Sequence, residues 1–124
     1  MKLTPVLIVD SIEKGMTFWV DRMGFQKTVD VPEGDHLGFV ILVRDGAELM
    51  MQTVTSVQKD EPRFAPQAKG NTVGLFIEVD DFEDVKKRLD GYPITMPERQ
   101  TFYGMVEIGV IEPGGNTVVF AARI

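Results

Sequence analysis

Three glutamates, Glu48, Glu78 and Glu107, lie in stretches that read as β-strands. Carboxylates placed this way can do acid–base work if they share a cavity. Alternate strand residues also commonly face solvent, so each is equally readable as a surface charge. The sole histidine, His36, follows a turn. A catalytic metal needs about three protein ligands, and no second imidazole is available to join it. The chain has no Cys, hence no thiol nucleophile and no disulfide. It also lacks G-x-G-x-x-G, a P-loop and G-x-S-x-G. Phe39, Phe102 and Tyr103 are candidates for stacking on a planar ligand, or for ordinary core. Tyr103 is the best placed, at a loop-to-strand entrance beside Gly104. Met50, Met51, Met96 and Met105 suit either a plastic apolar pocket or a core.

Two helices and a series of strands must position these groups. Leu3–Val9 is an apolar run closed by Asp10-Ser11. Asp10 with Glu13 three residues later has capping-box spacing. Ile12, Met16, Trp19, Val20 and Met23 then form one helical face, and Gly24 suits its end. Phe25–Val31, Leu37–Val43 and Glu48–Val54 read as strands, with turns at 32–35 and at Arg44-Asp45-Gly46. Residues 56–71 have no sustained period and read as a linker. Thr72–Val79 begins again as a strand. Asp80 and Glu83 repeat the cap spacing, and Phe82, Val85 and Leu89 form the helix face, closed by Gly91. A short strand around Ile94-Thr95, a loop with Pro97, and strands at Met105–Ile111 and Thr117–Ala122 complete the chain.

The chain thus says one thing twice. Val9-Asp10-Ser11-Ile12-Glu13 returns 70 positions later as Val79-Asp80-Asp81-Phe82-Glu83, and Gly46 has its counterpart 69 later in Gly115. Each copy is βαβββ. The expected fold is α+β, one domain over residues 1–124, with repeats at about 1–55 and 72–124. At 124 residues the chain is long enough to bury a core unaided. A net charge of −6 argues against a nucleic-acid partner and is compatible with a cationic ligand or simply a solubilising surface. The N-terminus lacks the apolar run of a signal peptide and no stretch is long enough to span a membrane, so the expected location is cytoplasmic.

In order along the chain, Val9-Asp10-Ser11-Ile12-Glu13, Phe18-Trp19, Met23-Gly24-Phe25, Tyr103-Gly104 and Glu112-Pro113-Gly114-Gly115-Asn116 resemble the vicinal oxygen chelate superfamily. That group comprises glyoxalase I, extradiol dioxygenases, and fosfomycin- and bleomycin-resistance proteins. The resemblance implies two βαβββ units whose curved mixed sheet forms a cup with helices outside. It also implies metal ligands on the first and last strands of each unit. By the repeat, those positions fall on Thr4, Met50, Gly74 and Val119, none of which is a good ligand for a catalytic metal. A two-residue shift would bring in Glu48 or Gln52 in the first repeat, and Thr72, Phe76, Thr117 or Ala121 in the second.

The resemblance then points to the metal-free branch, to which the opening Thr4-Pro5 is similar. This branch implies a homodimer that sequesters a small molecule, with no cofactor and no chemistry. A lyase or dioxygenase with an altered metal site, and a metal-free enzyme using Glu48 or Glu107 as base, are the alternatives. The expected ligand contacts are the apolar Phe39, Met50, Phe76, Tyr103 and Met105 and the polar Glu48, Gln52 and Glu107. A cationic, partly aromatic ligand would suit them.

Overall fold

The computed structural model describes residues 1–64 and 72–124. The chain divides into two units, residues 1–71 and 72–124.

The first unit has strands β1 (Val6–Val9), β2 (Gln26–Glu33), β3 (His36–Arg44) and β4 (Ala47–Thr53). They form a mixed sheet in the order β1-β4-β3-β2, with β1 parallel to β4 and the other pairs antiparallel. The β3–β4 hairpin turns on Asp45 (φ 50°) and Gly46 (φ 82°), both left-handed. That is the backbone a two-residue Asp-Gly hairpin requires.

Helix α1 (Ile12–Met16) continues into a π-helical stretch, Thr17–Arg22. The wider turn is visible in the Met23 amide, which donates to the Phe18 carbonyl five residues back at 2.9 Å. This changes the expected helical face. Ile12, Trp19 and Met23 are buried as expected, but Phe18 replaces Val20 and Met16 on the inner side, because the π turn shifts the phase. Trp19 is fully buried and meets Phe18 and Phe25 edge-on, with centroids 5.0 and 5.3 Å apart. Gly15 lets the helix approach β4: a Cβ there would lie 2.6 Å from the Met51 sulfur.

The second unit repeats the plan with β5 (Gly74–Glu78), α3 (Phe82–Arg88), β6 (Met96–Gln100), β7 (Met105–Ile111) and β8 (Thr117–Arg123). Its order, β5-β8-β7-β6, again has one parallel pair, β5 with β8. Phe82 and Val85 of α3 and Leu89 at its C-terminal cap are buried as expected, and Val118 and Phe120 of β8 are buried too. Two mixed four-stranded sheets with few helices make the fold α+β, built of two repeats.

Four details correct the sequence reading. The helix caps are Ser11 and Asp81, one residue after Asp10 and Asp80. Ser11 Oγ accepts from the Lys14 amide at 3.3 Å and Asp81 Oδ1 from the Asp84 amide at 3.0 Å. The strand expected at Ile94-Thr95 lies instead at Met96–Gln100, with Pro97 inside it. An edge strand tolerates proline because its outward amide needs no partner, and the register is irregular between Met96 and Arg99. Pro32 lies within β2, the edge of the other sheet, by the same logic.

The expected linker 56–71 begins inside a helix, α2 (Val54–Asp60), followed by a 3₁₀ turn at Pro62–Phe64. Its capping residue, Thr53, accepts from the Ser56 amide at 3.1 Å. With Val57 as its one buried residue, the helix offers no periodicity to read. The rest of that linker, 65–71, lies outside the described residues.

Candidate functional site

In each unit the helix covers one face of the sheet, and strand alternation assigns the candidate residues to the other. In the first unit Leu49, Met51 and Thr53 of β4 are buried, whereas Glu48, Met50 and Gln52 are half-buried on the opposite side. Register places Gln52 beside Phe39 and Ile8, and Met50 beside Ile41 and Val6. The expected contacts Phe39, Glu48, Met50 and Gln52 therefore share one surface. Val29 and Val31 of β2 extend it and are exposed.

Glu48 lies at the β1 end of this surface. Its Oε1 accepts from the Thr4 hydroxyl at 3.2 Å and faces the Lys2 ammonium at 2.9 Å. The Lys2 bond chiefly, and the Thr4 bond after it, hold its carboxyl below the usual carboxylate range. Its side chain is 21% exposed and Lys2 is 70% exposed, so the pair is reachable from solvent.

The other end of the surface is built by α2. Here lies a cleft of about 450 Å³, lined by Val31, Glu33 and Phe39 of the sheet and by Ser56, Lys59 and Asp60 of the helix, with Gln52 between them. Gln52 Nε2 donates to Ser56 Oγ at 3.0 Å. Glu33 Oε1 accepts from Thr53 Oγ1 (3.1 Å), Thr55 Oγ1 (2.6 Å) and His36 Nε2 (2.9 Å). These bonds, Thr55 first, lower the Glu33 carboxyl to about 2. His36 is thereby placed: its other nitrogen is 3.2 Å from Asp35, and the two carboxylates, Glu33 first, raise it above its ordinary value. It serves the hairpin and not a metal cluster.

In the second unit β5 and β7 put Phe76, Glu78, Met105 and Glu107 on the face away from α3, with Val119 and Ala121 of β8 between them. Glu107 is only 1% exposed. It receives Arg99 Nε and Nη2 on Oε1 at 3.1 and 3.0 Å, and the Tyr103 hydroxyl on Oε2 at 2.5 Å. Tyr103 first, then Arg99, keep it ionised below the usual range, and Glu107 raises the tyrosine in return. A buried carboxylate with three donors is a brace for the β6–β7 turn. Tyr103 and Phe102 pack edge-on at 5.1 Å and are both exposed on that turn.

The positions that the resemblance gives to metal ligands offer a hydroxyl already donated to Glu48 (Thr4), a thioether among aliphatics (Met50), a bare backbone (Gly74) and an isopropyl group (Val119). These donors do not fit a catalytic metal. Among the described residues, no group of three or more His, Cys, Asp or Glu side chains is arranged to hold a metal ion. No helix among them is long and apolar enough to cross a membrane.

Sequence reasoning missed Glu33, Ser56, Lys59, Asp60 and Arg99. The available signal was the Thr53-x-x-Ser56 spacing of a cap, and the i, i+8 relation of Arg99 and Glu107 across a hairpin. The segment Glu112–Asn116 has a structural use: buried Glu112 accepts from the Gly114 amide (2.7 Å) and from Asn116 Nδ2 (2.6 Å), while Asn116 Oδ1 accepts from the Val73 amide.

The fold is shared with several solved structures. A glyoxalase/bleomycin resistance protein/dioxygenase from Nocardioides superposes with a TM-score of 0.74 at 18% identity, over 100% of this chain and 84% of that one. Lactoylglutathione lyase from Agrobacterium tumefaciens gives 0.76 at 15%, over 98% and 92%. A bleomycin-binding protein complexed with bleomycin gives 0.65 at 16%, over 100% and 99%. No curated protein is similar enough in sequence to give a significant match. The sequence profile of one family matches residues 3–120, nearly the whole chain. On that match, this chain belongs to the glyoxalase/bleomycin resistance protein/dioxygenase superfamily.

Proposed function

We propose that this chain is a metal-independent small-molecule-binding protein that works as a homodimer and prefers cationic, partly aromatic ligands. The observation that carries the reading is the chemistry of Thr4, Met50, Gly74 and Val119, which puts an engaged hydroxyl, a thioether, a bare backbone and an isopropyl group where a ligand set would stand. A binding surface of this kind is mainly apolar with a few polar anchors. The candidate contacts are, in the first unit, the apolar Phe39 and Met50 with Glu48 and Gln52 as anchors, and, in the second, the apolar Phe76, Tyr103 and Met105 with Glu107. Of Glu48 and Glu107, Glu48 is the accessible one, since a ligand cation can replace exposed Lys2. Glu107 acts through Arg99 and Tyr103, so its contribution is to position the Tyr103 ring. Similarity to a bleomycin-binding protein supports the choice of ligand.

The second reading is a lyase or dioxygenase using a different metal set; similarity to lactoylglutathione lyase favours it. Elemental analysis of tag-free protein separates the two. The binding reading expects substoichiometric Zn, Ni, Fe and Mn, and one tightly held metal per chain would overturn it. Calorimetric titration with bleomycin should give saturable binding that weakens with salt and in Glu48→Gln. Light scattering should give about twice 13.9 kDa.

A further inference from the structure

We propose that the cleft under α2 in the first unit is a binding site for a small primary ammonium compound with an apolar or aromatic body. This rests on the reading of the chain as a binding protein, but the site uses residues of one unit alone and neither Glu48 nor Glu107.

The cleft has a fixed wall. Helix α2 is held to the sheet at its start by Thr53 and Thr55 on Glu33, and one turn later by Gln52 on Ser56. Gly38 makes the approach possible: a Cβ there would lie 3.0 Å from Glu33 Cβ and 3.5 Å from Ser56 Cβ. The cleft also has an apolar floor. Val31 and Phe39 are register partners on β2 and β3, and Val31 is exposed. A volume of about 450 Å³ is enough for a ligand of roughly ten heavy atoms.

Charge selects the ligand. Two carboxylates, Glu33 and Asp60, line the cleft against one cation, Lys59. Glu33 spends Oε1 on three hydrogen bonds, whereas Oε2 has Lys59 Nζ at 3.9 Å, the outer limit of an ion pair. The lysine side chain is 75% exposed. Such a contact contributes little and is easily exchanged for a ligand ammonium. Ser56 Oγ and the Gln52 amide oxygen are neutral acceptors on the same wall, available to a three-donor ammonium. Glu33 remains ionised at neutral pH, so the negative charge is present where it is needed.

The test is amide NMR with 2-phenylethylammonium and its anionic counterpart 3-phenylpropionate. Saturable shifts from the ammonium at Phe39, Gln52, Ser56 and Lys59, with at least threefold weaker binding of the carboxylate, are expected. Asp60→Asn should weaken the ammonium about threefold, and Lys59→Gln should tighten it by a similar factor. Both side chains lie on the surface, so both variants fold. Shifts centred elsewhere, no saturation, or equal binding of the two probes would overturn the proposal. A bleomycin titration of the same samples and of Glu48→Gln keeps the outcomes apart. If bleomycin binds and responds to Glu48 while phenylethylammonium leaves the cleft residues unmoved, the binding reading stands and this site falls.

Discussion

In the first unit, the carboxylate on the face away from the helix, Glu48, meets an exposed lysine and a threonine hydroxyl and remains in reach of solvent. In the second, Glu107 occupies the corresponding face but is sealed under an arginine and a tyrosine. The strand orders are the same, β1-β4-β3-β2 and β5-β8-β7-β6, so the difference arises from side chains and not from topology. The cores differ as well. The first unit buries Phe18 and Trp19 of a helix lengthened by a π turn together with Phe25, whereas the second relies on Phe82 and Val85 of a single short helix and Leu89 at its cap. One backbone plan thus supports a heavily packed unit with a solvent-accessible carboxylate and a lighter unit whose polar group is used for bracing.

The largest test of that contrast is core truncation. Trp19→Ala should cost about 3–5 kcal/mol and Leu89→Ala about 2–5 kcal/mol, measured by urea unfolding. If the tryptophan variant loses less than the leucine variant, the first unit does not carry the heavier core. A single cooperative transition in both would support one domain over residues 1–124.

Next is Gly38→Ala, which forces a methyl between Glu33 and Ser56 and should cost about 1–3 kcal/mol. Hydrogen exchange should quicken first in α2, a helix that the second unit lacks. Faster exchange in β6–β7 would show instead that Gly38 serves some wider purpose.

A smaller effect is expected from the two carboxylates themselves. Tyr103→Phe removes a donor from a buried group and should speed amide exchange at Thr101 and Gly104, the turn that Glu107 braces. Thr4→Val removes the matching donor from Glu48, where water can replace it, and should change exchange little. Equal responses in the two units would erase the distinction drawn between them.

The smallest effect is the pH dependence of the α2 latch. Glu33 is depressed from 4.5 to about 2, so its contribution is full above about pH 4.5 and lost as pH falls toward 2. His36 is raised, so its contribution is full below 6.5 and lost as pH rises through its folded value. The latch is therefore tightest between about pH 4.5 and 6.5. Its geometry gives the reason: only the doubly protonated ring donates to Glu33 and Asp35 together. The His36 ring protons should titrate above 6.5 in the native protein and nearer 6.5 in Glu33→Gln. No change in that variant would remove His36 from the latch.

The sequence by itself determined the repeat, the α+β class, both main helices and the strands that alternate cleanly, because those follow from local periodicity and turn chemistry. Asp45-Gly46, the Phe82-Val85-Leu89 stripe and the parity of Glu48, Met50 and Gln52 are of this kind. What each carboxylate does there was decided by tertiary structure, since its partners arrive from elsewhere in the fold: Lys2 and Thr4 to Glu48, Thr53, Thr55 and His36 to Glu33. Strand β6 needed an edge to accommodate Pro97, and α2 needed a carboxylate and a glycine across the sheet to dock a helix with one buried residue. Burial and pairing of charge depend on contacts distant in sequence, and those have no local pattern to be read.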